Sequence, residues 1–365
     1  MTLSPTLFIY IGRQFLFWFV AVFLSMIAVI ILIDAVELLR RSATKVDVST
    51  AVVTSMALLR APFLAQEAVP FAAMFGGILT YFRLTRNHEL VVIRAAGVSV
   101  WQFMLPALLV VVMVGVAKVT LLNPLSSILL SKFEELEGRH LTGRSSLLAV
   151  SSSGIWLRQI YGENGQAVIH AQSIDADDIK LREVIIFLLA DQDQFIGRID
   201  SKSARLGEGQ WNLTDAWLTG PEKPGEFVAS HSLATDLTPD KIQDSFASPE
   251  TVSFWGLPRF IRILEATGFS ALPHRLQLHT LIAEPVLLIA MVMIAASFSM
   301  RLSRRGGALL LLGTGVLAAF LLFIITNVVH AIGLGGGVPV ALAAWTPAGV
   351  SLMAGIALLM HLEDG

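Results

Sequence analysis

Residues 306–362 run for 57 positions without an Asp, Glu, Lys or Arg. One bilayer crossing takes about 20 apolar residues, so this run must hold two, with the Gly-rich stretch from Gly333 to Pro339 as the turn between them. The same criterion places spans at 14–33, about 62–82, 95–117 and 277–300. The fold class follows: an integral membrane α-helical protein with six transmembrane helices in a 3+3 arrangement, residues 1–122 and 273–365. A length of 365 residues could otherwise suggest two or three soluble domains, but 55% hydrophobic and 15% charged residues exclude that.

Span one carries Phe15, Phe17, Trp18 and Phe19 and no small-residue cleavage site, so it reads as a retained helix rather than a signal peptide. Basic residues of short loops stay in the cytoplasm. Arg83, Arg86 and Arg94 after span two, and Arg301, Arg304 and Arg305 after span four, fall on one side if both termini are cytoplasmic. The block at 123–272 is then outside. It is rich in Asp, Lys, Arg, Gly and Ser, and it alternates apolar and polar residues. Strands are expected at 154–158 and 167–170 around a turn at 162–165, and at 182–190, 195–204, 210–219 and 225–233. This spacing predicts an inserted all-β domain of sandwich or jelly-roll type. Residues 132–139 read as a helical continuation of span three, and 257–266 as a short amphipathic helix. With no cysteine, disulfides play no part, and a formal charge of −2 with no basic face gives no sign of nucleic-acid binding.

No Walker A, HExxH or GxSxG pattern is present, and His274 and His279 stand five apart, a poor spacing for a helical metal site. No cofactor or metal site is expected. Three clusters carry information instead. The first is the segment 84–97, with Arg86, Glu89, Leu90, Ile93 and Arg94 at helical spacing and Gly97 as a stop. It reads either as an interfacial helix with its arginines on the cytoplasmic side, or as a docking helix offering Glu89 to a soluble partner. The second closes span one: Asp34, Glu37, Arg40, Arg41 and Lys45. Glu37 can pair with the arginines one turn away, or the basic groups can meet an anionic headgroup. The third is the set of polar groups toward the outer span ends: Glu67, Lys118, His279, Glu284, Asn327 and His330. Such groups either bond helix to helix or rim a cavity that is polar above and apolar below, a shape suited to a lipid with a charged head. A membrane enzyme using Glu67, His279 and Glu284 lacks any accompanying nucleophile or metal set. A scaffold whose outer domain only recruits partners is a further alternative.

Several stretches then carry a resemblance over essentially the whole chain: 36–41 closing span one, Pro70 in span two, 88–97 with its Glu-Leu-Val and downstream glycine, Gly154-Ile155-Trp156, 237–242, and Arg275 through Glu284-Pro285. They resemble the LptF/LptG permease family of the bacterial lipopolysaccharide exporter, and 237–242 with the entry to span four is closer to its LptG branch. The resemblance implies an inner-membrane heterodimer with LptF above two LptB ATPase subunits, which hold the ATP and Mg. It also implies an outer jelly roll passing lipopolysaccharide toward LptC and LptA. Arg86, Glu89, Leu90, Arg94 and Gly97 would form the coupling helix against LptB. Glu37, Arg40, Arg41 and Lys45 would face lipid A phosphates, and spans one and five would form lateral gates. Asp34 departs from the pattern, standing where relatives can be basic, which shifts part of the phosphate coordination to Lys45 or to LptF.

Overall fold

The computed structural model describes residues 4–43, 49–142, 148–151, 154–161, 165–175, 179–190, 194–207, 209–221, 223–235, 237–238, 248–266, 270–300 and 308–364. Lys45, Arg301, Arg304, Arg305, the turn at 162–164 and most of 237–242 lie outside the described residues. Two compact units emerge. One comprises Met1–Leu136, Ser253–Trp255 and Arg275–Gly365, and the other comprises Glu137–Val252 and Gly256–His274.

The first unit is helical. Its elements are α1 (Pro5–Ser42), α2 (Thr50–Arg86), α3 (Glu89–Ala95), α4 (Val100–Ala117) and α5 (Asn123–Glu137). After the second unit come α7 (Leu272–Ser299), α8 (Ala308–Leu334) and α9 (Val340–Asp364); α6 (Leu257–Ala266) precedes them. Among the described residues, six helices are long and apolar enough to cross a membrane, α4 and α5 counting as one. With no water in a bilayer core, helices satisfy their own backbone groups; Pro62 and Pro70 inside α2 each withhold one N–H, a loss that membrane helices tolerate where neighbouring groups take up the freed carbonyl. Most helices outrun the spans read from hydropathy. The 38 residues of α1 measure about 57 Å at 1.5 Å per residue, well beyond a hydrocarbon core of about 30 Å.

Packing within this unit rests on small residues, since lipid supplies no hydrophobic drive between helices. A Cβ on Gly76 would stand 2.8 Å from the Phe19 Cα, and one on Gly77 3.0 Å from the Ala295 Cβ, so α2 is held tightly between α1 and α7. Ile11, Phe15 and Phe19 of α1 recur at four-residue spacing and enter one core with Tyr81, Leu90, Ile93, Phe103, Leu288 and Val292. Buried hydroxyls satisfy themselves: Thr80, Thr85, Ser297 and Ser299 each donate to the carbonyl four residues back.

Where hydropathy ends span three at residue 117, the helix in fact continues. A π-turn at Lys118–Leu122 leads into α5, which begins Asn123-Pro124. Pro124 has no N–H for the Thr120 carbonyl. The Trp255 indole donates to that carbonyl instead at 3.3 Å, and the Phe254 N–H donates to Asn123 Oδ1 at 2.8 Å. Residues 253–255 thus stitch the irregular turn from a point 135 residues downstream.

The second unit carries a seven-stranded antiparallel sheet: β1 (Leu148–Ser151), β2 (Gly154–Tyr161), β3 (Gly165–Asp175), β4 (Lys180–Leu189), β5 (Phe195–Gly207), β6 (Gln210–Gly220) and β7 (Lys223–Ala234). The strand order is sequential, a meander in place of the Greek-key crossovers of a jelly roll. β1 is a strand the sequence reading lacks. One line crosses the sheet through Gln172, Glu183, Lys202, Asp215 and Ala229, all skipped by the ladder, as where Arg182↔Ser203 passes to Val184↔Ser201. Glu183 and Asp215 adopt left-handed backbones there (φ 49° and 54°). The inward alternation slips by one residue at this line, so Leu181 is followed inward by Val184 and Leu213 by Ala216. The extra residue on each strand creases the sheet and keeps both halves facing one core, from Ile155 to Leu237. Ser201 Oγ donates to the Thr214 carbonyl at 2.7 Å, replacing a ladder bond missing at the crease. Inside, Gln159 accepts from Trp211 Nε1 (3.1 Å) and Thr235 Oγ1 (2.6 Å) and donates to the Ala234 carbonyl (2.9 Å). The helix α6 turns Leu257, Ile261 and Leu264 inward, as its amphipathic pattern predicts.

Candidate functional site

Polar chemistry collects at the two ends of the helical unit. At one end α2 stops at Arg86, and Asn87 and His88 interrupt it, His88 in the left-handed conformation (φ 61°). The helix expected over 84–97 is therefore shorter: residues 84–86 belong to α2, and α3 covers only Glu89–Ala95. Gly97 ends it with φ 80°, its N–H bonded to the Arg94 carbonyl and the Val98 N–H to the Ile93 carbonyl. That is a Schellman turn, and Val98 and Ile93 pack into the same core, which completes it.

This local geometry sorts the residues expected to couple. Leu90 is 5% exposed and Ile93 9%, both sunk among Ile11, Phe15, Val100 and Phe103. Leu90 thus anchors α3 in the bundle, its side chain already desolvated in the core. Arg86, His88, Val91, Val92 and Arg94 are exposed. Glu89 is half-buried. Its Oε2 accepts from the Tyr10 hydroxyl at 3.0 Å, and its Oε1 accepts from Asn87 Nδ2 at 3.2 Å. One turn along α1 from Tyr10, the Gln14 amide oxygen accepts from Trp18 Nε1 (2.8 Å) and Arg83 Nη1 (3.0 Å). Neither Tyr10 nor Asn87 stands out in the sequence, since a lone Tyr near an N-terminus carries no motif.

At the opposite end of α1, Glu37 lies between two arginines. Arg40 grips it through Nε and Nη2, both at 2.8 Å, and Arg41 reaches it through Nε at 3.1 Å. Arg40 remains 74% exposed, so its outer face is open to a further anion. Asp34 does not join this group. It pairs with Arg60 of α2 at 2.9 Å, and the Arg60 guanidinium lies 5.2 Å above the Phe133 ring of α5. Three helices are tied at that point by a residue, Arg60, that sequence reading passes over.

Of the six polar groups expected toward the span ends, Lys118, Glu284 and His330 bond helix to helix. Lys118, at the start of the π-turn, forms a buried ion pair with Glu284 of α7; the two side chains are 6% and 11% exposed. Gly115 lets the helices meet there, since a Cβ on it would lie 3.0 Å from the Pro285 Cα. Gln66 and Ser126, buried and not anticipated, bond α2 to α5. Asn327 returns its amide to the Phe323 carbonyl of its own helix, and His330 meets Thr280 at 3.5 Å. Glu67 is exposed on α2, and His279 is half-buried on α7. Thr280, Glu284, Thr326 and His330, with Pro347 and Ala348, line a cavity of about 40 Å³ between α7, α8 and α9. It has room for ordered water, not for a lipid. Lipid-scale apolar surface lies outside, on α1 (Phe17, Leu24, Leu32, Ile33) and α8 (Leu317, Phe320, Val328). Among the described residues no His, Asp and Glu cluster could hold a metal ion.

Among the described residues, the short helix α3 is anchored at one end of the helical unit, the Arg40 and Arg41 pair stands at the other, and no cluster of metal-ligating groups lies between. The family model for the lipopolysaccharide export system permease LptF/LptG matches residues 9–361. The lipopolysaccharide export system permease protein LptG of Escherichia coli K12 is 22% identical over 312 residues, spanning 83% of this chain and 84% of the relative. Its counterpart in Haemophilus influenzae is 23% identical over 354 residues, spanning 93% of each. This multi-pass membrane chain belongs to the LptF/LptG family of lipopolysaccharide export permeases.

Proposed function

We propose that this chain is the LptG-type half of a permease. It pairs with an LptF-type subunit over an LptB ATPase dimer, extracts lipopolysaccharide from the outer leaflet of the inner membrane, and releases it toward LptC and LptA. The observation that carries this reading is α3: a short helix with Leu90 and Ile93 buried in the bundle and Glu89 held at its start. A helix anchored on one side and exposed on the other can receive a push and pass it inward. The arginines Arg83, Arg86 and Arg94 around it support a cytoplasmic position for this end, with the β unit periplasmic. ATP and Mg are held by the ATPase, and this chain carries no catalytic residue. That both relatives bear the LptG name favours the LptG-type subunit over its LptF-type sister.

Energetics suit the reading. Acyl chains drawn into water cost about 0.8 kcal/mol per methylene, on the order of tens of kcal/mol for several chains. The tails must stay against apolar surface, and the bare faces of α1 and α8, closed by a partner's helices, supply it. The head meets Arg40 and Arg41, whose planar forks suit phosphate, with Lys45 nearby in the chain. The test is co-purification with LptB and LptF, with ATPase and lipid release measured for wild type and Glu89→Ala. The variant is expected to lose LptB or to hydrolyse ATP without releasing lipid. Intact assembly and coupled release would make Glu89 an ordinary interfacial residue, and a wild type that never joins LptB would turn the reading toward a scaffold.

A further inference from the structure

The Tyr10 hydroxyl of α1 donates to Glu89 at the start of α3, 79 positions along the chain. We propose that Tyr10 is a positioning residue for Glu89, fixing the carboxylate for its ATPase contact and tying that contact to α1. The inference rests on the coupling role given to Glu89 above.

Several observations converge on it. An ionised carboxylate accepts through two oxygens, each with two lone pairs, and among the described residues Tyr10 donates to Oε2 and Asn87 to Oε1. The side chain is therefore oriented while acceptor capacity on both oxygens is left for a cation from outside. His88 enters α3 in the left-handed conformation and its side chain makes no cap bond, so the helix start is held by the bonds to Glu89. Tyr10 itself is steadied, its ring packed with Leu7 against the core that also holds Leu90 and Ile93. Gln14, one turn further on, binds Arg83 at the end of α2, so consecutive turns of α1 grip both sides of the α2–α3 junction.

The direction of transmission follows from α1. It runs unbroken from Pro5 to Ser42 with its only proline at the start, and it carries Glu37, Arg40 and Arg41 at the far end. A displacement of α3 toward or away from the bundle thus reaches a stiff rod about 57 Å long. Apolar contacts at Ile11 and Phe15 transmit compression but hold no angle. A hydrogen bond to a charged acceptor is directional and strong enough to hold one.

The experiment uses the full complex with LptB and the LptF-type subunit in proteoliposomes. Lipopolysaccharide released per ATP hydrolysed is measured for wild type, Tyr10→Phe, Glu89→Gln and the double variant, alongside LptB stoichiometry. Tyr10→Phe keeps the ring and its packing, so assembly is expected to stay intact. Release per ATP is expected to fall roughly tenfold, the scale of one lost hydrogen bond to a charged group. Glu89→Gln should fall at least as far, and the double variant no further than Glu89→Gln alone, since both act through one contact. Wild-type coupling in Tyr10→Phe beside a defective Glu89→Gln overturns the inference and leaves the Glu89 reading standing. Wild-type coupling in both overturns both. Losses that multiply in the double variant also overturn it, by making Tyr10 act elsewhere. Should Tyr10→Phe fail to accumulate, Asn87→Ala tests the same orientation through the other oxygen: a matching loss supports the inference, and none overturns it. The chain has no cysteine, so spin labels at Ile9→Cys and Val92→Cys, both exposed, report the α1–α3 distance directly. A single distance that persists through turnover supports the tie, and one that splits in wild type overturns it.

Discussion

Replacing Lys118 by Met should be more damaging than removing Lys118 and Glu284 together. The two side chains are 6% and 11% exposed, on α4's continuation and α7, so each charge has given up nearly all contact with solvent. Removing one leaves the other buried and unpaired, a cost of about 3–5 kcal/mol, whereas replacing both with apolar residues of similar volume is near neutral. The coupling energy in a double-mutant cycle of Lys118→Met and Glu284→Leu should therefore reach at least about 3 kcal/mol. The close approach of Gly115 to Pro285 keeps the helices together without the pair, so the double variant retains its fold. The assay is denaturation in detergent micelles, run beside lipopolysaccharide export by the assembled complex. If the pair only joins helices, the double variant recovers both stability and export. If stability recovers and export does not, these groups touch the substrate. Two single variants each costing under about 1 kcal/mol, with an additive double, would refute the claim that the pair is desolvated.

Three smaller predictions test other parts. Trp255→Phe should cost about 0.5–1.5 kcal/mol in wild type and close to nothing beside Pro124→Ala, because the alanine N–H takes over the Thr120 carbonyl; thermal melts of the four proteins check it. Gly97→Ala should cost about 1–2 kcal/mol although its Cβ would touch nothing, since φ 80° alone is the obstacle; a cost of zero in the melt would mean the turn adapts. Gln159→Leu strands the Trp211 indole, the Thr235 hydroxyl and the Ala234 carbonyl inside the β unit, a loss of at least about 2–3 kcal/mol in chemical denaturation, with Gln159→Glu no rescue.

The elements legible in the chain are those set by one-dimensional quantities. Hydropathy over about 20 residues places the spans, since every stretch that enters lipid must be apolar whatever its neighbours do. Alternation placed six of the seven strands, because one face of each is buried. Gly97 was readable as a stop because few residues tolerate its φ. The short β1 and the break at Asn87–His88 were not, the first being four residues long and the second resting on a histidine whose left-handed backbone no local pattern announces. The meander and its crease also lay beyond reach, since the slip in alternation falls on ordinary residues, Lys202 among them.

The amino-acid sequence by itself determined that this chain spans a membrane six times, interrupts the spans with a β unit, and sets Glu89 beside arginines at one end and Arg40 and Arg41 at the other. The tertiary structure decided which charges are spent and which are offered. Asp34 goes to Arg60 across 26 residues, Glu89 to Tyr10 across 79, and Lys118 to Glu284 across 166. None of these three partners is a sequence neighbour of its acid, so helix packing selects them. In a medium that solvates no charge, that selection is enforced by the cost of every unpaired alternative.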